Sequence, residues 1–240
     1  MATHLVWSGD FRHEVSDWPG SPWGWGLENR SYSRDAGIAG KRLRVTIPAG
    51  TIDPGTMAAS GLPIGGSGFQ SKMPGGGVDV ARLSYKLRFA PDFDPALGGK
   101  LPGLCGGSCN SGGKLPNGYD GFSARHVWGP KLHGSVYAYL PTSMVWGTLL
   151  GDEGIPFKRG VWQLLEQEVK LNTVGRADGY VRVWLDGALV VDAQSMVFRY
   201  TEALRIESVY FSVFYGGHTD PWKAPQDTWI DFAEFAYFTR

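Results

Sequence analysis

Two neighbouring segments, GFSARHVW and VYAYLP, contain polar side chains that could act together in chemistry. Ser123 and Arg125 occupy alternate positions of the first segment, and Tyr137 and Tyr139 occupy alternate positions of the second. Successive side chains of a strand point to opposite faces, so the four share one face if the segments are paired strands. That face would carry a guanidinium, two phenols and a hydroxyl, which suit anion binding and proton transfer. A solvated strand face with ordinary exposed tyrosine and arginine is the alternative.

The elements that must position these residues are two strands joined by a short connection, GPKLH. A connection of this length predicts a β-hairpin. The face opposite the polar one is then predicted to lie in the core, and it carries Phe122, Ala124, His126, Trp128, Val136, Ala138 and Leu140.

Alternation of apolar and polar residues with a period of two runs through the rest of the chain and indicates further strands. KRLRVTIP and ARLSYKLRF each place every second, apolar side chain on one face. YVRVWLDGALVVD predicts a hairpin with its turn at Asp186 and Gly187. Residues 162–171 have some helix propensity, but their β-rich surroundings favour a strand.

The pattern of elements predicts one fold class for all 240 residues. Strand–helix alternation, which would indicate a parallel α/β sheet, is not visible, and neither is a repeat of fixed period. Strands separated by glycine and proline turns instead predict an all-β fold, a jelly-roll sandwich of two antiparallel sheets. Because no segment reads as a linker, we expect residues 1–240 to form a single domain.

The balance of basic and acidic residues argues against two classes of binding partner. The chain has 23 basic and 23 acidic residues, so no global field attracts nucleic acid or an anionic membrane. The sequence lacks an apolar run near the ~18 residues that a membrane helix needs. The segment MATHLVWSGDF lacks the basic and apolar regions of a signal peptide, which leaves a cytoplasmic protein or a mature chain with an added Met. We expect neither nucleic acid nor a membrane as a partner.

Further cationic residues and one histidine could extend a site. Lys100 lies in GGKLPGL, where glycine allows close backbone approach and proline stiffens the following backbone. His218, in YGGHTDPW, could assist at a groove or be an ordinary loop residue. The polar face of ARLSYKLRF could add cations to a groove if that strand joins the same sheet, and it carries Arg82, Lys86 and Arg88.

Other chemistries have weaker signals. The five histidines show neither HxH nor HExxH spacing, and the chain contains neither GxSxG nor GxxxxGK[ST]. Glu166 and Glu168 share one strand face, which would suit a retaining glycoside hydrolase, although Gln167 stands between them instead of a further carboxylate. Cys105 and Cys109 cannot form a four-ligand zinc site alone, and could form a small disulfide or stay reduced.

Three motifs in order, GGKLPGL, GFSARHVW and VYAYLP, resemble the signature of polysaccharide lyase family 14, the alginate and glucuronate lyases. The chain is also similar in size and style to the fungal glucuronan lyases of family 20. Flanking segments such as LSYKLRFAPDFD and FYGGHTDPW agree, and the likeness extends from Leu83 to Phe238. The resemblance implies a β-jelly roll with its site in a concave groove.

The resemblance also implies the residues of the site and the reaction. Lys100 matches the motif lysine, Ser123 and Arg125 match the family's FSxR strand, and Tyr137 and Tyr139 match its YAY strand. The implied reaction is β-elimination on an anionic, 4-linked uronate polysaccharide. Arg125, with Lys100, would neutralise the carboxylate, and Ser123 would orient the sugar. Lys100 or a tyrosine would act as base, and a tyrosine as acid.

Stereochemistry limits the substrate that this site would take. In β-D-glucuronate and β-D-mannuronate, the C5 hydrogen and O4 lie on the same side of the ring. One tyrosine could then serve both proton transfers, so we expect a polymer of this class, glucuronan or mannuronate-rich alginate. In α-L-guluronate the two lie on opposite sides.

The remaining expectations concern metal, location and alternatives. The implied catalysis requires no cofactor, but a structural Ca²⁺ is expected at Asp231 with Asp10, unless Asp231 is simply a polar residue of an alternating strand. We expect a secreted monomer. A non-catalytic carbohydrate-binding module on the same fold, and a sandwich glycoside hydrolase using Glu166 and Glu168, stay open as alternatives.

Overall fold

Alternating apolar and polar residues fold into two antiparallel β-sheets that pack against each other. The structure is a computed structural model and describes residues 3–20 and 24–240. Fifteen strands lie within these residues, with one short α-helix, α1 (Pro54–Ala59). Short 3-10 helices cover Glu14–Asp17, Leu27–Asn29, Pro130–Leu132 and Asp220–Trp222. Within the described residues, no helix is long and apolar enough to cross a membrane.

Sheet A contains eight of the described strands. They are β1 (His4–Gly9), β3 (Arg30–Ser33), β4 (Arg42–Ile47), β6 (Val80–Phe89), β11 (Gln163–Lys170), β12 (Gly179–Leu185), β13 (Ala188–Met196) and β15 (Thr228–Thr239). Their order is β13-β12-β11-β6-β15-β4-β3, and β1 pairs with the other part of β15. Strands far apart in sequence therefore lie side by side.

Sheet B contains the other seven described strands. They are β2 (Gly24–Trp25), β5 (Ser67–Lys72), β7 (Gly99–Gly107), β8 (Gly121–Trp128), β9 (His133–Tyr139), β10 (Thr148–Pro156) and β14 (Ser208–Tyr215). Their order is β10-β9-β8-β7-β14-β5-β2. The two antiparallel sheets confirm the predicted all-β sandwich.

The core lies between the sheets and is made of the apolar face of each strand. In β4, Leu43, Val45 and Ile47 are buried in alternation with half-buried polar residues. The residues predicted for the core of the β8–β9 hairpin are all buried: Phe122, Ala124, His126, Trp128, Val136, Ala138 and Leu140. Each fully buried aliphatic or aromatic side chain contributes roughly 1.5–3 kcal/mol. Alternation thus fixes which face of each strand packs inward.

Two further predictions from the sequence are confirmed. Residues 163–170 form strand β11 despite their helix propensity, because β6 and β12 pair with the strand on both sides. The β12–β13 hairpin turns at Asp186 and Gly187, whose φ angles are 51° and 82°. Positive φ at both central residues is the geometry that a tight two-residue hairpin requires.

Candidate active site

A groove of about 1120 Å³ lies over the face of sheet B that points away from the core. Strands β7, β8, β9 and β14 form its floor, and the loops beyond them form its walls. The polar and aromatic side chains that line the groove include Asp53, Lys100, Arg125, Tyr137, Tyr139, Trp146, Tyr210, Ser212 and His218. The groove therefore brings together the lysine, the arginine and the two tyrosines that the sequence singled out.

Lys100 reaches the groove because β7 contains a bulge. The register of β7 against β8 shifts between Lys100 and Gly103. Leu101 and Leu104, three residues apart, are both buried in the core. In an unbroken strand, Lys100 and Leu104 would share a face. The extra residue at Pro102 places Lys100 on the opposite face, and proline fits such a bulge because it has no N–H to pair.

The Lys100 side chain is only partly exposed and lies against an aromatic ring. Its Nζ is 4.6 Å from the centroid of Tyr137. Gly216 leaves room for it, since a Cβ at that position would lie 3.2 Å from Nζ. Burial, and next the charge of Arg125, lower the pKa of Lys100 to about 7, while the Asp53 carboxylate opposes the shift. Lys100 can therefore exchange a proton near neutral pH.

Arg125 is a buried cation at the floor of the groove, with 2 % of its surface exposed. Its Nη1 donates to Ser212 Oγ at 3.0 Å, and the guanidinium lies 4.7 Å from the centroid of Tyr210. Its Nε has no hydrogen-bond partner among the described residues. Burial lowers the pKa of Arg125, and three nearby tyrosines oppose that shift. A guanidinium that lines a groove without a carboxylate partner is suited to binding an anion.

The positive charge in the groove is not neutralised by the protein itself. Throughout residues 3–20 and 24–240, no described carboxylate lies within 4.0 Å ion-pair distance of Lys100 or Arg125. Asp53 acts on Lys100 only through the longer-range charge effect given above. A buried arginine and a half-buried lysine without a paired carboxylate leave positive charge in the groove, so this region is suited to an anionic ligand.

The two tyrosines are held by backbone N–H groups from two different loops. Tyr139 Oη accepts from Gly113 N–H at 2.9 Å, and Tyr137 Oη accepts from Gly147 N–H at 3.1 Å. The centroids of the two rings lie 5.5 Å apart, and the angle between the ring planes is 87°. Burial, and next the proximity of Tyr139, raise the pKa of Tyr137 above its ordinary value. Tyr137 therefore keeps its proton and can donate it.

Ser123 shares the strand face of Arg125 but does not line the groove. It is fully buried, and its Oγ donates to the Asn110 carbonyl at 2.6 Å. Asn110 begins the loop that directly follows a disulfide between Cys105 and Cys109, and this disulfide is one of the two states that the sequence left open. Because this loop covers Ser123, the prediction of a direct sugar contact by Ser123 is not supported. Ser123 supports the loop that carries Gly113 instead.

His218 does line the groove, as one reading of the sequence expected. Its Nδ1 lies 3.0 Å from Asp53 Oδ2, and its ring lies 5.4 Å from that of Trp146. Trp146 comes from the loop before β10, whereas His218 follows β14. The two walls of the groove therefore meet at this ring pair.

The predicted cationic extension from β6 is wrong. Arg82, Lys86 and Arg88 do share one polar face, but β6 belongs to sheet A, and the groove lies on sheet B. Arg82 pairs with Glu166 at 2.9 Å, and Lys86 pairs with Glu234 at 2.9 Å. Arg88 pairs with aspartates, as described below. These cations are neutralised and lie on sheet A, away from the groove.

The glutamate pair of the hydrolase alternative lies outside the groove as well. Glu166 is paired with Arg82 on sheet A. Glu168 is buried, accepts from Tyr180 Oη at 2.7 Å and pairs with Arg240 at 2.9 Å. Both carboxylates serve ion pairs on the outer face of sheet A, so they do not form a hydrolytic pair.

The predicted calcium ligands also have other partners. The Asp231 carboxylate is fully buried and accepts from Arg42, Arg44 and Arg88 at 2.7–3.0 Å. Three guanidinium groups around one carboxylate do not fit a calcium site, which needs several oxygen ligands. Asp10 pairs with Arg12 at 2.7 Å. The described part of the chain contains no cluster of three residues suited to holding a metal.

Sequence reasoning missed Tyr210 and Ser212, which hold Arg125. Both lie on β14, where they alternate with buried Val209, Phe211 and Val213. The alternation is visible in the sequence, but the pairing of β14 with β7 joins strands about a hundred residues apart. Nothing local in the sequence indicates that neighbour.

The fold is similar to that of solved lyase structures. A marine alginate lyase of family PL-14 from Aplysia kurodai is 28% identical, with a TM-score of 0.85 over 99% of this chain and 100% of that chain. An alginate lyase from a Chlorella virus is 18% identical, with a TM-score of 0.81 over 99% and 100%. An endo-β-1,4-glucuronan lyase from the fungus Trichoderma reesei is 13% identical, with a TM-score of 0.59 over 99% and 96%. A search of curated proteins finds no match.

The class of protein follows from the fold, the groove and these likenesses: it is a polysaccharide lyase with a β-jelly roll. The family model described as Polysaccharide lyase 14 matches residues 36–235. The chain therefore belongs to polysaccharide lyase family 14. The family, the fold and the enzyme class predicted from the three motifs are confirmed.

Proposed function

We propose that this lyase cleaves a β-1,4-linked D-uronate polymer, glucuronan or mannuronate-rich alginate, by β-elimination to unsaturated oligouronates. The observation that carries the proposal is the pair of unneutralised cations, Lys100 and Arg125, beside Tyr137 and Tyr139 in one groove. The solved relatives named above are alginate lyases and a glucuronan lyase, which supports a uronate polymer as substrate.

Arg125 is the group proposed to bind the C6 carboxylate. Its buried guanidinium lines the groove and is fixed by Ser212 and Tyr210. A planar guanidinium can hold a carboxylate by two hydrogen bonds. Neutralising that carboxylate stabilises the negative charge that develops when C5 loses its proton, and in a desolvated site this effect is large.

Lys100 is the group proposed to take the C5 proton. With a pKa of about 7, an appreciable fraction of Lys100 is the neutral amine at neutral pH. As the amine takes the proton, the C5–H electron pair forms the C4=C5 double bond and the C4–O4 bond breaks. We expect activity to rise with pH through about 7, because deprotonated Lys100 is the active form.

Tyr137 is the group proposed to protonate the departing O4. Its raised pKa keeps it protonated, and its ring is in contact with Lys100. The phenolate that results can recover a proton from the Lys100 ammonium, which resets the site. Both groups rise from sheet B, so they face one side of the sugar. This supports a substrate whose C5 hydrogen and O4 lie on the same side, as in β-D-glucuronate and β-D-mannuronate.

The tested observable is the ultraviolet absorbance of the C4=C5 double bond. We expect it to grow with glucuronan or poly-mannuronate as substrate and not with poly-guluronate. New reducing ends without absorbance would instead indicate hydrolysis, and binding without either product would indicate a carbohydrate-binding module. Absence of an absorbance increase with all three polymers would contradict the proposal.

We also propose that the enzyme acts outside the cell and as a monomer. The Cys105–Cys109 disulfide supports the location, since disulfides persist in oxidising compartments. A large anionic polymer substrate supports it as well. Non-reducing gel mobility after secretion, with and without thiol-blocking reagent, tests whether the two cysteines are paired in the native protein.

A further inference from the structure

The β7 bulge that places Lys100 in the groove is held from inside the core. The Pro102 carbonyl accepts from Tyr85 Oη at 2.9 Å and from His126 Nδ1 at 2.8 Å. Tyr85 belongs to β6 of sheet A, and His126 belongs to β8 of sheet B. Both side chains are fully buried. A carbonyl turned out of its strand ladder is thus satisfied by two donors from two sheets.

A second core side chain, Gln167, fixes the strand on the far side of the bulge. Its Oε1 accepts from Leu104 N–H at 3.0 Å, and its Nε2 donates to the Ala124 carbonyl at 3.0 Å. Gln167 lies on β11 of sheet A, so it crosses the core to reach β7 and β8. Leu104 follows the bulge, and Ala124 precedes Arg125. Both strands that carry the cations are therefore tied to sheet A.

These polar side chains are not ordinary core residues. Burial of a polar group costs free energy unless it is hydrogen-bonded, and apolar side chains would fill the same space without that cost. Burial lowers the pKa of His126 to about 4, so the ring is neutral and can donate from Nδ1 to a carbonyl. The three side chains converge on the one segment of β7 whose register departs from that of β8.

We propose that Tyr85, His126 and Gln167 are positioning residues of the lyase reaction: by holding the Pro102 bulge, they keep Lys100 on the groove face beside Arg125. A one-residue change of register moves every side chain of a strand to its other face. Without the bulge, Lys100 would turn toward the core side that Leu104 occupies. The inference rests on the proposed function of Lys100 and adds the device that orients it.

Tyr85→Phe tests the proposal, with Tyr237→Phe as the matched control. Tyr237 is also a buried tyrosine of sheet A, and its Oη has no hydrogen-bond partner in the described part of the chain. We expect Tyr85→Phe to lower kcat by about tenfold or more, because small displacements of a reacting group are costly to rate. Tyr237→Phe should leave kcat unchanged at a comparable melting temperature.

The Lys100 titration gives a readout that does not depend on activity. The groups that face Lys100 are Arg125 from β8, Tyr137 from β9 and Asp53 ahead of α1. Displacement of Lys100 from its buried place beside Arg125 should move its NMR titration midpoint upward from about 7 in Tyr85→Phe and leave it unmoved in Tyr237→Phe. If wild type has no lyase activity, the proposed function fails, but this titration still tests the positioning.

His126 supplies an independent pair of variants if Tyr85→Phe proves unstable. An asparagine amide can replace the Nδ1 donor, whereas leucine cannot. We expect the kcat of His126→Asn to be higher than that of His126→Leu. We also expect the NMR titration midpoint of Lys100 to be lower in His126→Asn than in His126→Leu. Equal kcat and equal Lys100 midpoints in Tyr85→Phe and Tyr237→Phe, or in the two His126 variants, would overturn the proposal.

Discussion

The groove and the outer face of sheet A both place cations over aromatic rings, but they differ in how those cations are neutralised. On sheet A, Arg44 lies 3.5 Å from the ring centroid of Trp229, and Arg88 lies 4.6 Å from that of Trp162. In the groove, Arg125 and Lys100 lie at similar distances from tyrosine rings. Cations over aromatic rings therefore do not distinguish a site from a structural surface.

The two regions differ in whether carboxylates pair with the cations. On sheet A, buried Asp231 neutralises three arginines, and Asp35 pairs with Arg42 and Arg88. The groove cations have no such partner among the described residues. A substrate carboxylate can take the place that a protein carboxylate fills on sheet A. Variants of the groove should thus affect activity, and variants of the outer face should affect stability.

Replacing Arg125, the group proposed to bind the carboxylate, should cause a large loss of activity. We expect Arg125→Met to lower kcat/KM by about 10²–10³-fold, since a preorganised charge at the developing carbanion is lost. Arg82→Met, on the outer face of sheet A, is the matched control and should retain near wild-type activity. The absorbance assay on the best polymer measures both. Similar losses in the two variants would remove the distinction between the two faces.

Replacing Asp231 should lower the free energy of unfolding and leave the activity of the folded protein unchanged. Asp231→Asn leaves Arg42, Arg44 and Arg88 around a neutral group, and breaking a buried ion pair costs about 3–5 kcal/mol. Denaturant unfolding measures this loss, and the folded variant should keep its kcat. A preserved unfolding midpoint together with lost activity would contradict the structural role of the outer face.

Removing the disulfide should have a smaller, mixed effect. The segment that follows the Cys105–Cys109 disulfide carries the Gly113 N–H that donates to Tyr139. We expect the Cys105→Ser, Cys109→Ser double variant to lower kcat by about tenfold, because Tyr139 is less well held. Steady-state kinetics beside a thermal melt separates the two effects. A lower melting temperature with unchanged kcat would show that the loop does not position Tyr139.

Lys100 should also make the stability of the fold depend on pH. The folded pKa of Lys100, about 7, lies below its ordinary value of 10.5, so the unfolded chain binds more protons between these values. Stability should therefore rise with pH across this window through Lys100. We expect Lys100→Met to flatten that rise in unfolding experiments between pH 7 and 10. An unchanged slope would mean that Lys100 titrates normally in the fold.

Local alternation was enough to predict part of the site. It placed Arg125, Tyr137 and Tyr139 on one face of a hairpin, and the structure shows all three in the groove. Alternation could not predict the face on which Lys100 lies, because the Pro102 bulge interrupts the period of two along β7. The assignment of Lys100 to the site rests more on the resemblance of its motif to the family than on spacing.

The errors came from contacts that are distant in sequence. Alternation predicted the correct strand face for Arg88, but it could not show that β6 belongs to sheet A, since sheet membership depends on which strands pair. Ser123 had the right face but is covered by the loop that follows the disulfide. Ser212 lies beside Arg125 only because β14 pairs with β7. Period and propensity are local properties, so neither contains this information.

The most direct measurement compares two lysines, one from each face. Lys100 is unneutralised in the groove, whereas Lys86 pairs with Glu234 on sheet A. We predict that Lys100→Met lowers the rate of ultraviolet absorbance growth on glucuronan or poly-mannuronate by about 10²–10⁴-fold, the contribution of a general base. Lys86→Met should keep the wild-type rate. Full activity in Lys100→Met, or equal losses in both variants, would contradict the assignment of the groove as the active site.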